Sequence, residues 1–231
     1  MKRFYNRAEA VPANGGHGVA LDGRPLKTPG KHDFVLPSLR LAAAIAEEWD
    51  AQQSEIRRES MPLTRLAGAT IDRAAGQREA IVRQVADYAG TDLVCYRATH
   101  PPALAARQQA VWQPLVDWAA ERYAAPLAIT AGVIPAQQPA ASLAAFAAAA
   151  AAYDDFALTA LHAATAACGS LVIALALFEG RLDAEAAFAA SQLDESFQIE
   201  AWGEDKEQAE RRAALAAEIV AAARFTLLLR G

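Results

Sequence analysis

Glycine and proline punctuate the first 37 residues of this chain and then become sparse. NGGHG (14–18), DGRP (22–25) and TPGK (28–31) interrupt the segment every few residues, and the pieces between them, RAEAV, HGVAL and DFVLP, are rich in β-formers. Glycine and proline at that spacing forbid a long helix and favour short strands joined by tight turns. A meander of three short strands is the simplest solution, with TPGK read as a type II turn centred on Pro29 and Gly30. From residue 140 onward the pattern is helical throughout, and Ser142–Tyr153 is nearly pure alanine, the best helix former. A chain with strands at one end and helices over the rest is α+β: a small β-rich N-terminal domain over 1–60 and a larger α-helical domain over 61–231. PLAITAGVI (126–134) has strand composition and is expected to rejoin the N-terminal sheet.

Between these ends the helices are read from caps and periodicity. Ser38 after Pro37 is a good N-cap for a helix whose buried stripe is Leu41, Ile45 and Trp49, with Glu47, Glu48 and Asp50 facing water. A second helix is expected to open at Thr64, continue through Leu66, Thr70 and Ala74, and end near Gly76. A third carries Ile81, Val85 and Tyr88 and stops at Gly90. Pro101–Tyr123 is expected to break or restart at Pro114, with Leu104, Val111, Leu115 and Trp118 as its apolar positions. Phe156–Cys168 and Ser170–Phe178 are split by Gly169, and Asp183–Trp202 and Asp205–Leu229 by Gly203.

Hydrophobic content of 54% and charged content of 21% place the chain among folded proteins. The net charge of −5 is unevenly spread. Residues 1–124 carry 16 Lys+Arg against 14 Asp+Glu, and residues 125–231 carry 6 against 13. An acidic helical half argues against nucleic acid and suits a protein partner with a basic patch. Cys95 and Cys168 lie far apart in apolar surroundings and lack a second ligand at zinc spacing, so buried thiols in a reducing compartment are expected. No apolar leader opens the chain and its apolar runs are too short to span a bilayer, which implies a soluble, cytoplasmic protein.

Nucleotide-type loops and nucleophile motifs are absent: NGGHG and DGRPLKTPGK match neither phosphate-loop pattern, and no GxSxG or Cys/His signature occurs. His17, His32, His100 and His162 show no metal-ligand spacing. The unusual stretch is LDESFQIEAWGED (193–205), which packs Asp194, Glu195, Glu200, Glu204 and Asp205 among Phe197, Ile199 and Trp202. On one continuous helix over 183–202, Ala186, Ala190, Leu193, Phe197 and Ala201 form a core stripe. Phe188, Ser191, Glu195, Ile199 and Trp202 fall opposite, where a surface helix should be polar. Three readings stand: Glu195 paired with an arginine inside the protein; an exposed docking face with aromatic anchors and charge for specificity; or a catalytic or metal-binding Glu195, which a closed pocket joining it to His162 or Asp92 would support.

Eight segments in order then resemble one family: KRFY (2–5), LDGRPLKTPGK (21–31), LAAAIAEEWDAQ (41–52), MPLTRLAGATID (61–72), TDLVCYRA (91–98), RQQAVWQPLVDWA (107–119), GSLVIALAL (169–177) and LDESFQIEAWGED (193–205). They resemble the assembly chaperones for the alpha subunit of the F-type ATP synthase, found in mitochondria and related bacteria. The resemblance implies a β-rich N-terminal domain, a helical C-terminal domain, no enzyme activity and no cofactor. It implies a protein that keeps the free alpha subunit soluble until assembly, a monomer when free. It carries a functionally important acidic residue onto Glu195, with Asp194 and Glu200 as alternatives, so the expected partner-binding face is Glu195, Asp194, Glu200, Trp202, Phe188 and Ile199, edged by Glu204 and Asp205. A hydrolase using the Glu195 region, with or without a metal, and a generic interaction scaffold are the competing functions. Two departures from the family are the alanine-rich 140–152 segment and Gly68, which stands where a polar side chain is usual.

Overall fold

Turn chemistry sets up the N-terminal sheet in the computed structural model, which describes residues 1–73, 76–132 and 136–230. Strand β1 (Ala8–Ala13) pairs antiparallel with β2 (Gly16–Leu21), and β2 with β3 (Arg24–Pro25). Asp22 and Gly23 link β2 to β3 with φ of +48° and +77°. Both central residues therefore sit on the left-handed side, as a two-residue hairpin that matches strand twist requires. The third turn forms where expected but is not type II, because Lys31 and not Gly30 carries the positive φ, +68°. Lys31 N–H donates to Thr28 O at 2.9 Å and Thr28 N–H to His32 O at 3.0 Å, closing a three-residue loop.

Helices follow: α1 (Leu39–Asp50), α2 (Pro62–Arg73) and α3 (Arg78–Asp87), then two short 3-10 turns, Tyr88–Thr91 and Leu93–Cys95. Strand β4 (Tyr96–Arg97) precedes α4 (Pro102–Tyr123), and β5 (Thr130–Ala131) precedes α5 (Ala140–Ala151), α6 (Asp155–Cys168) and α7 (Leu171–Phe178). The chain closes with α8 (Ala184–Ser191), α9 (Leu193–Trp202) and α10 (Lys206–Leu229). Helical bulk with a small N-terminal sheet is the α+β class read from the sequence. Residues 130–131 pair in parallel with 96–97 and not with the N-terminal strands. Ala74, Val133 and Ile134, named above, lie outside the described residues.

The chain divides into two compact units, one of residues 1–78, 155–160 and 224–231, the other of 79–154 and 161–223. In the first, Tyr5, Leu21, Ile56 and Met61 form a core cluster with Ala8, Leu26 and Trp49 packed against it. The KRFY segment is pinned here: Arg3 donates to the carbonyls of Asp50 (2.9 Å), Asn6 (2.7 Å) and Gln52, and the Tyr5 hydroxyl donates to Trp49 O at 2.6 Å. Ser38 caps α1 by accepting from Leu41 N–H at 3.2 Å. Glu48 does not face water. Its carboxylate accepts from the N–H groups of Leu63 and Thr64, both at 2.8 Å, and from the Thr64 hydroxyl at 2.7 Å. Helix α2 therefore starts at Pro62, two residues before the expected cap, because a glutamate from α1 satisfies its orphan donors.

Two of the segments that marked the family meet in this unit. Asp72, at the end of MPLTRLAGATID, accepts from the Thr28 hydroxyl, from Gly30 N–H at 3.1 Å and from His32 Nδ1 at 2.8 Å. A Cβ on Gly30 would lie 2.5 Å from Asp72 Oδ1, so glycine is required there for close approach rather than for backbone freedom. The loop's N–H is occupied by Asp72, and Lys27 is paired with Asp33 at 2.9 Å. Gly68 is buried, and a Cβ there would touch Phe34 at an ordinary 3.8 Å.

In the second unit α4 runs unbroken through Pro114. Pro114 and Ala110, whose carbonyl loses its helical partner, lie on the exposed side, where water can satisfy that group. The large fully buried side chain of α4 is Trp112, which the apolar spacing missed; Val111 is exposed instead. Every residue of α7 is buried, as SLVIALALF suggests. Among the described residues no helix is long and apolar enough to cross a membrane.

Candidate functional site

The acidic stretch does not lie on one continuous helix. The ladder breaks at Gln192 (φ −110°, ψ 24°), which ends α8 and starts α9. A break inside a packed unit leaves helix-end carbonyls to be satisfied, and side chains do so here. Phe188 O keeps the last helical bond, from Gln192 N–H, and also accepts from the Ser191 hydroxyl, both at 2.9 Å. Ala190 O accepts from the buried Trp112 Nε1 at 2.8 Å, and Ser191 O from the Gln192 amide at 3.3 Å. The break re-aims α9, so the faces drawn for one helix do not carry across it. Ala201, assigned to the core stripe, is exposed, and Ser191, assigned to the outer face, is buried. The polar sequence SQ offered a faint signal for a break, but the satisfying indole comes from 78 residues away.

Each carboxylate of the stretch has a distinct setting. Asp194 is half-buried and accepts from the Gln108 amide at 2.7 Å. Burial pushes its carboxyl above the ordinary value, the Gln108 bond opposes this, and the charge of Glu195 adds to it. Glu200 is exposed and held by Arg107 through two bonds of 2.6 and 2.8 Å, which keep its carboxyl below the ordinary value. Glu204 pairs with Arg212 at 3.1 Å. Asp205 caps α10, accepting from Gln208 N–H at 2.8 Å. Glu195 is the least committed: its nearest cation, Arg211, lies 3.8 Å away, and both side chains are open to solvent, 36% and 62%. An ion pair of that length and exposure contributes little.

The aromatic residues divide in the same way. Trp202, the last residue of α9, is 81% exposed. Ile199 is half-buried, and with Glu195 and Trp202 it follows the i, i+4, i+7 spacing of one face of α9. Phe188 belongs to α8 and is half-buried, its ring 5.3 Å below the Arg212 guanidinium. Arg212 also reaches Ser196 at 3.1 Å and Gln192 at 3.4 Å, so it ties α8, α9 and the following loop to α10. Arg107 plays a matching part on the α4 side, with its guanidinium 5.2 Å from the Phe197 ring and its bidentate bond to Glu200. The structure thus brings Glu195, Ile199 and Trp202 together on one open face. Asp194 and Glu200 instead attach α9 to α4, while Phe188 on α8 and Glu204 in the following loop are held by Arg212 of α10. Arg107, Gln108, Trp112 and Arg212 are the partners that sequence reasoning missed. Three of them lie in RQQAVWQPLVDWA, and nothing local to that segment announces contacts some 80–90 residues away.

Asp92 is fully buried and belongs to a different place. It accepts from Val94 N–H at 3.2 Å and Val172 N–H at 3.0 Å, joining the Leu93–Cys95 turn to the start of α7. Burial raises its carboxyl to about 6. Burial likewise pushes the thiols of Cys95 and Cys168 up to about 12, which makes both poor nucleophiles at neutral pH. Among the described residues no group of three or more His, Cys, Asp or Glu is placed to hold a metal ion.

Known proteins resemble this chain over nearly all of its length. The family model described as ATP12 chaperone protein matches residues 2–120, which leaves the acidic stretch outside the matched part. The mitochondrial protein atp12 of Schizosaccharomyces pombe is 25% identical over 215 residues, 88% of this chain and 74% of its own length. The crystal structure of Atp12 from Paracoccus denitrificans superposes with a TM-score of 0.93 at 45% identity, covering 99% of this chain and 98% of that one. A protein of Agrobacterium tumefaciens superposes with a TM-score of 0.95 at 40% identity, covering 99% of this chain and 86% of that one. These solved chains span the acidic stretch that the family model leaves out.

Proposed function

The chain belongs to the ATP12 chaperone family, as the eight ordered segments implied, and from that premise we propose that its client is the free alpha subunit of an F-type ATP synthase. The protein binds alpha without nucleotide, metal or catalysis, keeps it soluble, and yields it when the neighbouring subunits arrive. It acts as a monomer in the bacterial cytoplasm, whereas its Schizosaccharomyces pombe relative is mitochondrial. The observation that carries this reading is the open face of α9. Trp202 stands 81% exposed one turn from Ile199 and two from Glu195, with no packing of its own to explain a bulky aromatic in water. An exposed tryptophan beside a loosely held carboxylate is an anchor-and-charge pair of the kind that dominates protein interfaces.

The supporting side chains fit the same role. Asp194 and Glu200 are spent on holding α9, and Phe188 and Glu204 on holding the elements at its two ends, so the face is presented on a rigid element. Glu195 has only a distant, solvated arginine, so a client cation can take it at little expense. A subunit awaiting its neighbours exposes apolar surface and aggregates. A face that combines one aromatic, one aliphatic and one charge gives the moderate, reversible cover that an assembly step needs.

The test is aggregation of the cognate alpha subunit, refolded with wild type, Glu195→Ala or Trp202→Ala. Wild type keeping alpha soluble while both folded variants fail is the expected result. Wild type that leaves alpha aggregating overturns the client assignment. Variants as protective as wild type move the docking face elsewhere.

A further inference from the structure

A second feature beside α9 remains without a role. Between α4 and the α8–α9 pair runs an open trough of about 420 Å³. Val111 and Leu115 line it from α4, and Ala186, Ala189 and Leu193 from the other side, with Arg107 and Ser196 at one end. The two polar end residues are already engaged, Arg107 with Glu200 and Ser196 with Arg212. The trough therefore offers apolar surface and almost nothing to orient a small polar ligand.

Shape and charge narrow the occupant. The α4 wall is an i, i+4, i+8 stripe, and the opposite wall is built from small alanines followed by Leu193, so the trough is a groove between helices into which the apolar side chains of a third helix can pack. An extended strand laid there would bury backbone N–H and C=O groups without partners, whereas a helix satisfies its own. Residues 182–205, which build the second wall and continue from it, hold seven carboxylates and no lysine or arginine; Glu195, Glu200 and Glu204 are paired with Arg211, Arg107 and Arg212, which leaves Asp183, Glu185, Asp194 and Asp205 as the negative excess. Arg107, the cation at the mouth, is neutralised by its two bonds to Glu200. We infer that the trough seats an amphipathic helix of the client, apolar on the seated side and carrying lysine or arginine on its flanks. This rests on the chaperone reading above and gives that reading a second contact: a helix in the trough while the Glu195–Trp202 face covers adjoining surface.

The experiment uses the full-length protein and two fluorescein-labelled helical peptides of about 18 residues that share one leucine–alanine stripe. One is flanked by lysine and arginine, the other by glutamate and aspartate. Fluorescence anisotropy reads binding to wild type, to Ala189→Trp and to Val111→Lys. Both substituted positions are exposed, and thermal melts followed by circular dichroism verify that the variants stay folded. The expected result is that the basic-flanked peptide binds at least about tenfold more tightly than the acidic one, and that each variant weakens it by at least about tenfold. Equal binding of the two peptides, no binding, or binding unchanged in both folded variants overturns the inference. Refolding of alpha separates the two levels of the argument. If wild type fails to protect alpha, the client assignment falls and the peptides still judge the trough. If Ala189→Trp protects alpha as well as wild type, the trough falls and the α9 face stands.

Discussion

Two tryptophans in neighbouring motifs should respond to substitution in opposite ways. Trp112 is fully buried on α4, and its Nε1 donates to Ala190 O at 2.8 Å, one of the carbonyls that the break at Gln192 leaves without a helical partner. Trp112→Phe removes that donor and part of the ring. A buried acceptor left unpaired costs about 1–3 kcal/mol, and the cavity left by the smaller ring adds roughly 1 kcal/mol. The sum, about 2–4 kcal/mol, is a large share of the ~5–15 kcal/mol that holds a typical domain. At about 2–4 °C per kcal/mol for a chain of this size, the melting temperature should fall by roughly 5–15 °C. Circular dichroism at 222 nm is the suitable probe, since fluorescence changes with the substitution itself. Trp202→Ala, at a site 81% exposed, should move stability by less than about 0.5 kcal/mol and yet abolish protection of the alpha subunit. Below its lowered melting temperature Trp112→Phe should still protect. A drop of under about 1 kcal/mol for Trp112→Phe would refute the argument that the indole secures the α8–α9 break.

Three further outcomes test the framework around the site. Glu48→Ala removes the acceptor of two N–H groups at the start of α2 and should cost about 1–3 kcal/mol in urea unfolding, well beyond a surface glutamate. Gly30→Ala places a Cβ 2.5 Å from Asp72 Oδ1 and should push the TPGK loop off Asp72, seen as faster amide exchange at residues 28–32 with the helical unit unaffected. Asp92, raised to about 6, binds a proton in the folded protein that the unfolded chain releases near 3.8. Its contribution to stability is therefore complete below the unfolded value and lost as pH rises through about 6. Asp92→Asn should remove that part of the pH dependence between pH 4 and 6 in melts followed across the range.

The sequence alone determined what is local. Glycine and proline placed the turns, and Ser38 placed the start of α1. Alanine and hydrophobic runs placed α5 and α7, Gly169 the break before α7 and Gly203 the end of α9, because backbone freedom and helix propensity act within a few residues. The open face of α9 was legible for the same reason: Glu195, Ile199 and Trp202 share a helical spacing that survives within one short helix. Tertiary structure decided everything that depended on a partner far along the chain. Gln192 breaks the acidic helix, which puts Phe188 and Ser191 on a separate element, and the indole of Trp112, 78 residues away, satisfies the freed carbonyl of Ala190. Glu48 is a cap and not a solvated charge, because its acceptors serve α2. Gly30 is needed for the approach of Asp72 and not for a type II turn. Pro114 leaves α4 continuous, because the carbonyl it orphans is turned toward water. Arg107 and Arg212 select which carboxylates are bound and leave Glu195 nearly free, a choice made by distances between helices that periodicity does not encode.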